Sequence, residues 1–375
     1  MPLLEQRSWH RFCSVTTMET MAIRLWEEMK MARRASLRSV SLLVCILTVA
    51  PGRSLAQAPC TDEQAREKHG HLTLDHQEQD ELDRRTRVKP DPVVLKKIDQ
   101  AIALLKQALP DFAGATGTYS HRIYDPNPNS HVLHFSVQVG LFTYYCPPLD
   151  YAPGKKGKIN VEGETGTWIT IDFNSLGWLV EEASSLGKEM RTPDGRAIFE
   201  LPKEGEFKGR RLFLPDKYGT ITQVILITAP NHFPFKPVTR EEFLQARESV
   251  QQHYLDEARA KVGPNSPAAK EREGQLEEIR KLHASMTPAE LRSQAVVREW
   301  SASPSRRSLF VTEAERGLRL VSVDRNYIDR TLPRSAVQLI TLHWRNNDQD
   351  PAKKAAMRQF EDNFDLDALS RLMDR

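Results

Sequence analysis

Apolar positions along this chain change period as it proceeds. In residues 91–109, Val94, Ile98, Ile102 and Leu105 recur at helical spacing and Pro110 follows, which predicts an amphipathic helix. In residues 132–141 the odd positions Leu133, Phe135, Val137, Val139 and Leu141 are apolar, whereas His134, Ser136, Gln138 and Gly140 are not. Period two of this kind marks a strand with one wet face. Residues 167–173 alternate again, Ile169, Ile171 and Phe173 against Trp168, Thr170 and Asp172. Shorter strands fit 159–161, 197–201, 211–214 and 221–228, and a short helix fits 178–186. Turn residues such as Gly195, Gly205, Gly209 and Gly219 separate them. Short strands at close spacing, without long helices between them, imply an antiparallel sheet.

The pattern turns over at 221–262. A β-branched run ends in a segment holding Pro230, Pro234 and Pro237, which can be neither helix nor inner strand. A helix start follows, with Thr239 as N-cap, Glu242 at N3 closing a capping box, and Val238 and Phe243 as a hydrophobic staple. Ser266-Pro267 and a second box, Thr287 with Glu290, begin two more helices, so an αα-hairpin is predicted. Beyond a linker at 301–305, residues 318–323 and 336–344 regain strand character. The second of these reads as apolar on both faces and hence central. A final helix is predicted over 351–363. The fold expected is α+β: a mainly antiparallel sheet, a helical αα-hairpin insertion, and a C-terminal strand–helix part rejoining the sheet. Its divisions are a leader at 1–56, a flexible charged segment at 57–90, a β-rich part at 91–238, the helical insertion at 239–300 and the C-terminal part at 301–375. The strand at 221–228 and those after Ser305 are expected to share one sheet.

Composition changes this picture mainly at the N-terminus. From Met31, where translation is expected to start, the chain has the layout of a secretory signal over 31–56. Arg33, Arg34 and Arg38 precede an apolar stretch at 40–50, and small residues lead to cleavage after Ala56. The apolar stretch is too short to span a membrane, so no transmembrane helix is expected in the mature chain. Residues 1–56 hold eight Lys/Arg and four Asp/Glu; set against 53 and 50 in the whole chain, this leaves 45 basic and 46 acidic residues. A mature protein so close to neutral has no bulk electrostatic drive toward nucleic acid or anionic lipid. Residues 61–90 are dense in charge and poor in large apolar groups, which predicts a tail or an exposed helix. Their His69, His71 and His76 lack a thiolate or a scaffold, so no metal is expected. Two cysteines remain after the leader, Cys60 and Cys146, the simplest disulfide framework for an oxidising compartment.

No nucleotide, zinc-protease, esterase or redox motif is present, and no cofactor is implied. His131 and His134 would face opposite sides of a strand, which argues against a metal pair. His134, Ser136 and Asp172 all occupy wet strand faces and would meet as base, nucleophile and orienter if their strands were neighbours. Aromatic side chains concentrate at Phe142, Tyr144, Tyr145 and Trp168, and Phe142 and Trp168 stand on otherwise polar faces, where an aromatic suits a ligand or protein contact. The competing expectation is that the helical segment covers this face. The function expected is non-catalytic binding of a protein partner or small ligand, in the periplasm or outside the cell in a bacterial-type envelope. The alternative is a hydrolase without a standard motif.

Overall fold

The computed structural model describes residues 59–85, 91–124, 131–147, 157–177, 179–180, 189–200, 203–214, 222–230, 232–298, 309–315, 317–346 and 349–374, all within the compact unit Gln57–Arg375. The leader, the linker at 301–305, Trp178 and most of the short helix expected at 178–186 lie outside the described residues.

In chain order come α1 (Asp62–Glu67), β1 (His69–Gly70), β2 (Leu72–Leu74), α2 (His76–Arg85), α3 (Pro92–Ala108), β3 (Phe112–Ala113), β4 (Ala115–Ile123) and β5 (Phe135–Tyr145). Then follow β6 (Asn160–Val161), β7 (Trp168–Phe173), β8 (Glu189–Arg191), β9 (Ala197–Glu200), β10 (Lys203–Phe207), β11 (Arg210–Leu214), β12 (Thr222–Thr228) and β13 (Phe235–Pro237). The helical arm is α4 (Arg240–Val262), α5 (Pro267–Ser285) and α6 (Pro288–Arg292). The chain returns through β14 (Val296–Val297), β15 (Leu318–Val323) and β16 (Leu339–Arg345) to α7 (Pro351–Asn363) and α8 (Leu366–Ser370).

The larger sheet has the order β10–β11–β12–β16–β7–β5–β4–β2, with β6 on the end of β5. Its neighbours pair antiparallel except β2 with β4. Alternation explains the two faces. Phe135, Val137, Val139 and Leu141 of β5, Ile169 and Ile171 of β7, and Ile340, Leu342 and Trp344 of β16 point to one side, where α3, α7 and α8 cover them. Phe135 and Phe173 stack there at 4.4 Å between centroids, and burying each side chain stabilises by about 2–3 kcal/mol. On the other side, Val224 and Leu226 of β12 and Phe213 of β11 pack against Phe199, Phe235 and Val321 of a second sheet, ordered β13–β15–β9–β8 with β14 beside β15. Ile198 and Leu320 point from that second sheet toward Phe243 and Leu244 of α4 and Ile279 of α5. Four layers result: helices, large sheet, small sheet, helical arm.

The α+β class, the antiparallel sheet, the αα-hairpin and the rejoining C-terminal part are all present. The capping box of Thr239 with Glu242 forms as the residues imply, and the staple pair Val238 and Phe243 is buried in one cluster. Strand β12 pairs directly with β16. Strand β15, expected in that same sheet, belongs instead to the second one. Its apolar residues divide between two clusters, Leu320 toward α4 and Val321 toward the large sheet, which only an inner layer can satisfy.

Residues 61–85, expected as a charged tail or exposed helix, form α1, β1, β2 and α2. Few apolar contacts suffice because each is placed well: Ala65 and Leu72 are buried, Thr61 closes a capping box on α1, and the Gln79 side chain accepts the backbone N–H of His121 at 2.9 Å. A disulfide joins Cys60 to Cys146 across a separation of 86 residues, Cα–Cα 5.8 Å, and ties this segment to the end of β5. Strand β4 was not evident from its sequence, because Gly117 and the small residues around it blur the alternation.

Candidate functional site

The strand register assembles a cleft on the face of the large sheet that the small sheet leaves uncovered. Asp172 on β7 lies opposite Ser136 on β5 and opposite Thr341 on β16. His134 comes two residues before Ser136, and His343 two after Thr341. The histidines therefore reach Asp172 along diagonals, from opposite sides and opposite ends of the strand, a separation long side chains can bridge. His134 Nε2 lies 3.3 Å from Asp172 Oδ1, and His343 Nε2 lies 2.8 Å from Asp172 Oδ2. The side chains of Asp172 and His343 are 13 % and 7 % exposed, that of His134 32 %.

Burial acts to raise the Asp172 carboxyl, but the hydrogen bonds from His134 and His343 outweigh it and hold the group below its ordinary value. An aromatic ring restrains each imidazole. Tyr124, just past β4, stacks on His134 at 3.9 Å and 6°, and the Arg122 guanidinium covers the Tyr124 ring at 4.4 Å. Trp168 meets His343 edge-on at 5.1 Å.

The turn after β7 locks the floor in place. Asn174 adopts φ 58°, a left-handed conformation that asparagine tolerates better than most residues. Its Nδ2 donates to Leu133 O and Ala336 O, and its Oδ1 accepts the Gln338 N–H. One amide thus binds the chain leading into β5 and the chain leading into β16 to the end of β7. The Thr341 hydroxyl donates to Ser175 O at 2.7 Å. The cleft above this floor encloses about 370 Å³ and is lined further by Gln138, Thr170, Ser175 and Gly177.

His134, Ser136 and Asp172, the catalytic candidates from the sequence, therefore line one cleft. Among the described residues, however, no hydrogen bond joins Ser136 Oγ to either imidazole. His343 is a further member of the site, outside the candidates that the sequence pattern supplies. The expectation for its strand is apolar on both faces, although Thr341, His343 and Arg345 alternate with Ile340, Leu342 and Trp344. That period-two signal was present in the sequence.

The four aromatic binding candidates separate. Trp168 lines the cleft. Phe142 is half-buried on the same side of β5 and packs over Gly140, where a β-carbon would come within 3.0 Å of its ring. Tyr144 and Tyr145 line another cavity, about 710 Å³, with Ala65 and Arg66 of α1 and Asp350 and Ala352 at the start of α7. In that larger cavity several of the polar groups are already engaged. Asp350 accepts the Thr143 hydroxyl and caps α7 through the Ala352 and Lys353 N–H groups, and Lys68 sits over the Tyr144 ring at 4.2 Å. Chemistry is concentrated in the smaller cleft.

His131 Nε2 lies 3.0 Å from Leu332 O, apart from the His134 cluster, and His69 pairs with Asp111 at the surface. Among the described residues no group of His, Cys, Asp and Glu is arranged to hold a metal ion, and no helix is long and apolar enough to cross a membrane. Compared with protein-family models, curated proteins and solved structures, the chain finds no match.

Proposed function

We propose that the protein is a non-catalytic binding protein of a bacterial-type envelope, periplasmic or secreted, which holds a small polar ligand in the cleft over Asp172. The observation that carries this reading is the clamp itself: a nearly buried carboxylate fixed between two imidazoles, beneath the aromatic side chains Tyr124 and Trp168. Such a set orients a guest. It is poorly arranged for serine hydrolysis, which needs a histidine shared between the carboxylate and the nucleophile. Here His134 is engaged by Asp172 and stacked under Tyr124, with no bond to Ser136 Oγ among the described residues. Glycoside hydrolysis by the usual route needs two carboxyl groups facing the bond to be cut, and Asp172 is the one acidic residue among the described lining. The secretory layout of residues 31–56 and the Cys60–Cys146 disulfide favour an oxidising, extracytoplasmic location.

Two measurements on the purified full chain test the reading. Thermal melts across a panel of small polar metabolites should find at least one compound that raises Tm, as mass action requires of a ligand selective for the folded state. Trp168→Ala should abolish that rise. A fluorophosphonate probe should leave Ser136 unlabelled. Labelling of Ser136 that His134→Ala eliminates would overturn binding in favour of hydrolysis.

A further inference from the structure

Building on the binding reading above, we infer that the ligand is a neutral, polyhydroxylated molecule of mono- or disaccharide size. Ser136 and Thr170 are 5 % and 8 % exposed, and both line the cleft. Among the described residues neither side-chain hydroxyl has a hydrogen-bond partner. Neither oxygen is sealed from solvent, so both hydroxyls stand open to the cleft and are free to bond a guest there. Hydroxyls donate and accept at once, and the Gln138 amide offers both functions as well. Each Asp172 oxygen takes one imidazole bond and retains capacity to accept another from a ligand O–H. The complement of such a surface is a ring of hydroxyl groups.

Charge selects against the other classes. An anionic guest would meet the Asp172 carboxylate, and no Lys or Arg is among the described lining residues to offset it. A cationic guest would find a single carboxylate, with its charge already shared by two imidazole donors and no second acidic residue among the described lining. A sugar ring avoids both conflicts, and its apolar C–H face suits the aromatic side chains Trp168 and Tyr124. The enclosed volume of about 370 Å³ lies at the small end of ligand pockets, which run from about 300 to 1,000 Å³.

Saturation-transfer difference NMR on the full chain separates the possibilities. One mixture holds neutral probes: glucose, galactose, N-acetylglucosamine, maltose, cellobiose and myo-inositol. The other holds charged ones: citrate, glutamate, glycerol 3-phosphate and spermidine. Saturation should pass to ring protons of at least one neutral probe. That signal should fall at least five-fold in Trp168→Ala and in the volume-conserving double variant Ser136→Ala/Thr170→Val, whose melting temperature reports that it is folded. Transfer to the charged mixture alone, sensitive to Trp168→Ala, would overturn the ligand class and leave the binding role standing. No transfer to either mixture would overturn both. Neutral-probe signals indifferent to both variants would remove the cleft as the site.

Discussion

Asp172 gathers the electrostatic cost of the cleft into one residue. Its carboxylate is largely withdrawn from water, and the two imidazole bonds that compensate also lower its proton affinity. The consequence for stability has a definite sign. Above the ordinary value of 3.8, folded and unfolded chains both carry the carboxylate ionised, and its full contribution is present. As pH falls below that value the unfolded chain takes up the proton first, so the contribution is lost progressively as pH drops through the folded pKa. Asp172→Asn cannot follow this course. At pH 7 it should be less stable than the wild type by about 1–3 kcal/mol, the usual range when a charged hydrogen-bond partner is removed. The gap should narrow below about pH 4. Urea midpoints at pH 7 and pH 3 measure it, and a gap of equal size at both would show that the two imidazole bonds are not what holds Asp172 ionised.

At the scale of elements, β5 and β7 were the most legible part of the chain, because strict alternation assigns a face to every residue and the face assigns a role. Alternation therefore puts Ser136, Trp168 and Asp172 on polar faces, and strand register brings them together. The partners of Asp172 were less legible. His343 lies more than 170 residues away in sequence from Asp172, and Tyr124 ends a strand whose glycine and hydroxyl residues carry little period-two signal. Segment 61–85 was obscured for a different reason. Composition measures average apolar content, whereas this segment is ordered by a few specific ties, chief among them the disulfide at Cys60. Closing a loop of this length stabilises by about 4–5 kcal/mol on the chain-entropy model, and native disulfides usually deliver about 2–4 kcal/mol. Cys146→Ser should lose stability in that range. Helix α1 should loosen first, since beyond the bridge it rests on its capping box and the buried Ala65. Hydrogen exchange read by mass spectrometry should show faster exchange in α1 and β1 than in β7, and equal acceleration in both would contradict this order.

Across the whole molecule, the pairing of β12 with β16 makes the helical arm an excursion from one continuous fold, and the second sheet is the means by which that arm is attached. The sequence could not display this layer, because β8, β13 and β14 are two or three residues long and gain their meaning only from β9 and β15. A comparable long-range tie closes the C-terminus. Lys97 of α3 is 8 % exposed, and its ammonium donates to Leu372 O at 2.6 Å and to Asp374 Oδ2 at 2.8 Å. Asp374 Oδ2 also accepts the Val337 N–H at 2.7 Å, and the Asp374 N–H returns a bond to Val337 O at 2.8 Å. One carboxylate therefore couples α3, the chain end and the run into β16. Asp374→Ala leaves the Lys97 ammonium with one carbonyl and takes the side-chain acceptor from Val337, at a cost of about 2–4 kcal/mol, somewhat below a fully buried pair because Asp374 is 40 % exposed. Lys97→Met removes the buried charge along with its partner bond and keeps the volume, so in the Asp374→Ala background it should restore about 1 kcal/mol or more. Urea denaturation of the two single variants and the double completes the cycle. A double variant as unstable as the sum of the singles would mean that Lys97 and Asp374 act independently, and that the C-terminus is held by its apolar contacts, Leu369 and Leu372 among them.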